Sequence, residues 1–382
     1  MSRSRADAPS LAIVIVHYHA AKALLGAVAA IERDVERSGI AAEWCVVDNG
    51  STGAERVVLE SLGLPLHLGA GNLGFAAGVN LGVAATTAPI VIVLNPDVEV
   101  LPGCVPALVG ELERGAGAAA PRLYWDHQRR FLLPPGEERS RDWELLSLLA
   151  RRFAACAARA RRRWRRDARR HWEATGSLAS TRLSGAMLAI SRAAWSRVGP
   201  FDESYRLYFE ETDWLLRLEA AGLSSFQAAG AEAVHGFAHS TKSEPQAALW
   251  FDQSARLFRE RHHGRGFARL HDGLAVRLDP ARSAAPPTPW REDTLASAVE
   301  VSAEAMLWLE LSPNREGFPA AGERVRGVDL ADWMPPIELM RASGLTAMSL
   351  CAVSERGREL GRWWIDLDAA SAQNRSLSPM VR

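Results

Sequence analysis

The chain has 382 residues, 48% hydrophobic and 24% charged, which suits a soluble enzyme of two domains at roughly 150 residues each. Its formal net charge is zero, so no global field draws it to nucleic acid. Cys45, Cys104, Cys156 and Cys351 are too scattered for a metal-ligand spacing and read as reduced thiols of a reducing compartment.

The apolar run from Leu11 to Val16 follows two arginines, but it is too short for a signal peptide. No run reaches membrane-spanning length, so the expected location is the cytoplasm. "LAIVIVHY" (11–18) predicts a fully buried strand, and a helix follows over 20–38, stopped by Gly39. "EWCVVDNG" (43–50) predicts a second strand, with Ser51 or Thr52 capping a helix to about Leu62. A short strand at 65–68, a helix over 75–86 and a strand at 89–95 complete the alternation. Strands alternating with helices imply a parallel sheet with right-handed crossovers, which binds ligands at the carboxyl ends of its strands. His17-Tyr18, Asp48-Asn49 and Asn95-Pro96-Asp97 stand at those ends. Each could be a simple turn, but three polar strand tips on one edge point to a site.

Residues 142–173 carry Leu145, Leu149, Phe153, Cys156, Ala160, Trp164, Ala168 and Trp172 at helical spacing, with ten arginines between 151 and 170. One basic amphipathic helix of this kind either lies on an anionic membrane surface or packs its stripe on the domain. Further on, 184–191 predicts a strand, 193–199 a short helix, "YFEETDWLLRLEAAG" an acidic-headed helix ending at Gly222, 232–240 a strand into a histidine-bearing loop, and 244–263 a helix. "ARSAAPPTP" (281–289) has the composition of a linker, and 290–382 predicts a small β-rich domain of unassigned role.

Two motif sets compete. Gly69-Ala70-Gly71-Asn72-Leu73-Gly74 matches G-x-G-x-x-G, with Asp97 some twenty residues on, which would suit a nicotinamide-dependent oxidoreductase. The loop follows the third strand rather than the first, which weakens that reading. The ordered series "VVDNGST", "GNLGFAAGVN", "LNPDV", "FDESYRLYFEETDWLLRL" and "VHGFAHST" resembles the family 2 glycosyltransferases of GT-A fold, most closely their rhamnosyltransferase-like branch, over about 10–265.

The resemblance implies an α/β, Rossmann-like and mostly parallel sheet flanked by helices over 1–280. The Arg-rich helix at 142–173 looks like an insertion into that domain, and the resemblance does not extend to the β-rich domain at 290–382. It implies transfer of a sugar from a dTDP- or UDP-sugar, with dTDP-rhamnose preferred, to a hydroxyl of a glycan or lipid-linked acceptor in cell-surface polysaccharide synthesis. A divalent Mg²⁺ or Mn²⁺ would supply countercharge to the leaving diphosphate, held by Asp97 and by His235, with His239 as its substitute. Asn95 stands where many relatives carry a second Asp. Asp48 matches the carboxylate that reads a uracil or thymine imide, although it could equally cap the following helix. Tyr18 matches the base pocket, with His19 where relatives carry Asn. Gly74 and Gly78 would bring the chain close to the nucleotide, while Asn72 and Asn80 are donor-binding positions that could instead satisfy loop backbone.

The same resemblance places a catalytic base in Glu210-Glu211-Thr212-Asp213, where relatives read Glu-Asp. Residues on a helix advance by about 100°, so Glu211 and Asp213 cannot share a face while Glu210 and Asp213 can. Thr212 is the expected N-cap, which leaves Glu211 in the turn before the helix. Glu211 is therefore the expected base and Asp213 structural or substrate-positioning. A catalytically inactive nucleotide-sugar binder, or a scaffold held at the inner face of the membrane, is the remaining alternative.

Overall fold

The structure, a computed structural model, describes residues 9–69, 71–236, 246–278, 288–291, 295 and 299–367. His239 and most of the expected linker lie outside them. The elements run β1 (Leu11–His17), α1 (Ala21–Ser38), β2 (Ala42–Asp48), α2 (Gly53–Ser61), β3 (Leu66–Leu68), α3 (Phe75–Ala84), β4 (Ile90–Leu94), β5 (Val98–Val100), α4 (Cys104–Glu113) and β6 (Ala118–Tyr124). They continue with α5 (Arg141–Ala150), α6 (Ala154–Trp172), β7 (Leu178–Ala179), β8 (Met187–Ser191), α7 (Arg192–Val198), α8 (Glu210–Ala220), β9 (Ser225–His235), α9 (Ala247–Phe258), a π-helical turn (Arg259–His263) and α10 (Arg265–Arg277). The last elements are β10 (Thr288–Pro289), β11 (Met306–Ser312), β12 (Ala321–Arg326), α11 (Ile337–Ala342), β13 (Ala347–Ser354) and β14 (Glu359–Asp366).

The described residues fall into two compact units, one of 9–124, 171–236 and 246–268, the other of 125–170 and 269–367. The first is an α/β unit on a nine-stranded sheet ordered β3-β2-β1-β4-β8-β6-β9-β5, with β7 beside β9. β1 to β4 pair in parallel. β8 runs antiparallel to both β4 and β6, and β6 is parallel to β9, so β1, β2, β4 and β9 all end at the same edge. Every residue of β1 and β4 is buried, as expected of strands covered on both faces. α3 reaches the sheet because it carries glycines: a Cβ at Gly78 would stand 2.7 Å from Val16 Cγ1, and one at Gly82 2.3 Å from Val14 Cγ1. Gly78 thus serves helix–sheet packing.

The second unit has a five-stranded sheet ordered β10-β14-β13-β11-β12. The segment expected as one helix over 142–173 is two, α5 and α6, broken at 151–153 where Phe153 stands exposed rather than in the apolar stripe. α6 lies on this sheet through arginines four residues apart. Arg161 donates to both carboxylate oxygens of Glu359, at 2.8 and 2.9 Å. Arg165 does the same to Glu310, at 2.6 and 2.8 Å. Arg169 donates to the carbonyls of Glu355 and Ser354 and stacks 5.6 Å from the Trp308 ring. Ala160, Trp164 and Ala168 are buried beside them. The other face of α6 exposes Arg159, Arg162, Arg166 and Arg170.

Candidate functional site

The common edge of the first sheet gathers most of the residues expected there. In register, His17 stands opposite Asp48, and Asp48 opposite Leu68. The Asn95 N–H donates to Ala186 O at 2.8 Å, just before β8 begins. β5 starts at this edge with Val98 opposite His235 at the end of β9, so the turn residue Asp97 meets a strand tip far away in sequence. His235 Nε2 lies 3.5 Å from Asp97 Oδ1, with each side chain about one-sixth exposed. That nitrogen and Asn95 Oδ1 are buried without a hydrogen-bond partner. Among the described residues no cluster of three His, Cys, Asp or Glu side chains is placed to hold a metal. Asp97 and His235, whose Nε2 has no hydrogen-bond partner, would hold a divalent ion here, which would supply positive charge at this edge.

Asp48 is fully buried and committed to its own turn. Its Oδ1 accepts from the N–H groups of Gly50 and Ser51 at 3.2 and 2.8 Å, and Oδ2 accepts from Arg56 at 3.1 Å. Burial pushes this carboxyl up, but the Ser51 and Gly50 hydrogen bonds and the Arg56 charge outweigh it and hold it below the usual range. Oδ1 thus uses both of its lone pairs, and Oδ2 alone keeps one for another donor. His17 is equally buried and held neutral by desolvation, against the pull of Glu55 and Asp48. Its Nε2 accepts from the Ala20 N–H at 3.1 Å, so Nδ1 carries the proton and donates to Ser51 Oγ at 2.9 Å. Tyr18, half-buried, meets the His19 ring edge-on at 4.3 Å.

The glycine-rich loop is stapled to the β2 tip by asparagines. Asn49 Nδ2 donates to Asn72 Oδ1 and Gly74 O, Asn49 Oδ1 accepts from the Leu73 N–H at 2.7 Å, and Asn72 Oδ1 accepts from the Gly74 N–H at 2.9 Å. Asn49, read in the sequence only as part of a strand tip, is thus the anchor of the loop, and Asn72 satisfies loop backbone. Gly74, at φ +91°, opens α3 where a Cβ would come within 2.7 Å of Arg206 O. Asn80 does not join the edge set by its contacts. Its amide nitrogen donates to Phe201 O and Glu203 Oε1, and its Oδ1 accepts from the Phe201 N–H, so it pins the loop that leads to α8.

α8 starts at Glu210, two residues before the Thr212 cap expected for it. Phe209 occupies the N-cap in the left-handed region at φ +73° and offers no capping side chain. The three acids then part. Asp213 is buried, its Oδ2 accepting from Arg217 Nε at 2.7 Å and its Oδ1 paired with His262 Nε2 at 2.8 Å. Burial pushes its carboxyl up, yet His262 and Arg217 hold it below the usual range. Glu210 is buried with Oε2 unpartnered; burial, and then the neighbouring Glu211 charge, push its carboxyl well above the usual range. Glu211 is half-exposed, accepts from Thr212 Oγ1 at 3.0 Å and lies along Gly185, where a Cβ would approach its Cγ to 2.9 Å. Gly185 immediately precedes the residue whose carbonyl receives Asn95. Of the three acids Glu211 is therefore the one that combines exposure with proximity to the Asn95–Asp97 turn.

The glycosyl transferase family 2 model matches residues 12–170. The chain is 32% identical over 267 residues to the N-acetylglucosaminyl-diphospho-decaprenol L-rhamnosyltransferase of Mycobacterium tuberculosis, in two strains, covering 62% of this chain and 84% of the relative. A mannosyltransferase from Pyrobaculum calidifontis, solved with GDP-mannose and Mn²⁺, is 16% identical with a TM-score of 0.39, over 72% of this chain and 76% of that one.

Proposed function

The chain belongs to glycosyl transferase family 2, in its rhamnosyltransferase-like branch with the GT-A fold, and from that premise we propose an inverting, metal-dependent hexosyltransferase. Its donor is a dTDP- or UDP-sugar, dTDP-rhamnose by preference, and its acceptor a hydroxyl of a lipid-linked or cell-surface glycan precursor. The observation that carries this reading is the convergence of Asp97, His235 and Asn95 on the strand edge beside Glu211. Asp97 and His235 would hold the metal, which when bound neutralises charge growing on the leaving diphosphate.

The chain's own groups do the rest. Tyr18 and Asp48 line the base pocket, where an Asp48 lone pair left over from its turn accepts an imide N–H. Glu211 takes the proton of the acceptor hydroxyl as its oxygen bonds the anomeric carbon from the face opposite the nucleotide. The bond to the diphosphate breaks with its electron pair leaving on the nucleotide. Asp213, held by Arg217 and His262, keeps the head of α8 in place. A nicotinamide reading gains nothing from the glycine-rich loop, which follows the edge strand β3 and is closed by Asn49 and Asn72.

Peripheral contact with an anionic membrane through 142–173, on its inner face, belongs to the same proposal. It rests on Arg151, Arg152, Arg159, Arg162, Arg166 and Arg170, exposed beside Phe153 with no acid among the exposed residues of 151–170. No described helix is long and apolar enough to cross a membrane.

The test is a thermal-shift screen of nucleotide sugars with Mn²⁺ and with EDTA. The right donor at 100 times its Kd adds about 2.7 kcal/mol of stability. Asp97→Ala should keep the unliganded melting temperature, since Asp97 is in a turn at the strand edge, and lose both the Mn²⁺-dependent shift and turnover. A shift indifferent to EDTA, or full Mn²⁺-dependent activity in the variant, would refute the metal assignment.

A further inference from the structure

Arg206 stands outside the machinery assigned above, in the loop between Asn80's partner Phe201 and the head of α8. Its carbonyl accepts from the Phe75 N–H at 3.0 Å, and its Nη2 donates to Asn72 O at 3.0 Å, so it touches the glycine-rich loop twice. Its guanidinium lies 4.6 Å over the ring of Trp250 on α9. The side chain is exposed. Arg56, Arg217 and Arg261 of the same unit each pair with a carboxylate, of Asp48, Asp213 and Asp202 respectively. Arg206, like Arg192 and Arg197, donates instead to a backbone carbonyl. Leu73, Leu249 and Phe251 are exposed in the same segments, at 38%, 55% and 37%.

A guanidinium presents five N–H donors in a planar fork suited to phosphate, and a carbonyl takes only one of them. Stacking on an indole fixes the plane of that fork in advance, which lowers the ordering cost of a hydrogen-bonded ligand. Arg169 of α6 makes the same kind of contacts, to carbonyls and an indole, but is buried, whereas Arg206 keeps its fork exposed beside the glycine-rich loop. We propose that Arg206, oriented by Trp250, binds the diphosphate of a substrate beside the Asn72–Leu73 loop. That chemistry has two sources, the nucleoside diphosphate of the donor and the diphosphate of a lipid-linked acceptor. The inference rests on the glycosyltransferase reading.

The experiment measures UDP and dTDP binding by calorimetry in Mn²⁺, and the apparent KM for donor and for a polyprenyl-diphosphate-linked N-acetylglucosamine. It uses the full chain and its Arg206→Gln, Arg206→Lys and Trp250→Ala variants. Losing a charge-assisted contact of this kind weakens binding by about 10- to 100-fold. Arg206→Gln should show that loss, with the Lys variant recovering part of it and Trp250→Ala losing less. If the loss appears in nucleotide Kd and donor KM, the donor is the source; if it appears only in acceptor KM, the acceptor is. Unchanged Kd and both KM values in Arg206→Gln overturn the assignment while leaving the enzyme reading intact. A wild-type chain that binds neither nucleotide and transfers no sugar overturns both.

Discussion

In the second unit Glu310 is enclosed by protein and meets two nitrogens of Arg165, whereas in the first unit Glu210 is as deeply enclosed and keeps an oxygen with no partner. Burial pushes both carboxyls up, but Arg165 opposes it at Glu310 while Glu211 adds to it at Glu210. The difference separates charge used for packing from charge held near chemistry. α6 brings Arg161, Arg165 and Arg169 to one face of its sheet, and each arginine finds a carboxylate or backbone carbonyls there. At the edge of the first sheet, Asn95 Oδ1 and His235 Nε2 lack a hydrogen-bond partner beside Asp97, and Glu210 Oε2 lacks one at the head of α8. Buried polar atoms are nearly always satisfied, and the second unit also leaves Arg165 Nη1 and Arg362 Nε unpartnered, so it is the place of Asn95 and His235 at strand tips beside Asp97 that sets the first group apart.

The contrast repeats within α8, and there the largest effect is expected. Glu211→Gln removes the proposed base and should lower kcat by about 10²–10⁴-fold, with nucleotide Kd nearly unchanged. Asp213→Asn should cost less in kcat and more in stability, because it weakens the contacts with Arg217 and His262. The folded Asp213 carboxyl is depressed, so its contribution to stability is present above the unfolded value near 4 and is lost as pH falls through the folded one. Acid unfolding should accordingly begin at higher stability in wild type and converge with the variant at low pH. Pre-steady-state turnover and acid titration of both proteins measure this. Were Asp213→Asn the slower enzyme, the base would be Asp213.

The arginines of α6 give the second test. Arg165→Met strands Glu310 as a buried, uncompensated charge and should cost about 3–5 kcal/mol in urea unfolding, much of it restored by adding Glu310→Leu. The triple change of Arg159, Arg162 and Arg166 to Gln touches only exposed side chains. Each should shift stability by no more than about 0.5 kcal/mol, while binding to vesicles of anionic phospholipid falls. Equal destabilisation by the two sets would erase the division between packing and surface arginines, and unchanged vesicle binding by the triple variant would remove the membrane contact.

What could be read from residues alone divides along the same line. β1, β2 and β4 were legible because strands covered on both faces are continuous apolar runs, and the polar residues that end them stand out. Asp97 and His235 could be paired only through the motif order, since nothing local says that β5 turns back beside β9. The start of α8 has no sequence signal, because Phe209, in a left-handed conformation, occupies the N-cap without a capping side chain. β12, "AGERVR", has no apolar run to announce it and exists through its pairing with β11. In 142–173 the arginines are plain in the sequence, but the burial of Arg161 and Arg165 depends on Glu359 and Glu310, far along the chain. Asn72 and Asn80 show the reverse: polar positions inside a motif that the fold uses to fasten its own loops.

Glu210 carries the smallest expected effect and the cleanest sign. Its folded carboxyl lies well above the unfolded value because burial and the Glu211 charge both disfavour ionisation. Below the unfolded value near 4, both states hold the proton and the group's contribution is fully present. As pH rises, the unfolded chain ionises first, and the contribution is lost up to and through the raised folded value. Glu210→Gln cannot ionise, so it should match wild type below about pH 4 and melt higher than wild type at pH 7. Each kcal/mol so recovered is worth about 2–4 °C in a unit of this size. A variant that melts lower than wild type at pH 7 would mean that the ionised Glu210 is satisfied in the folded protein, and the comparison with Glu310 would lose its first term.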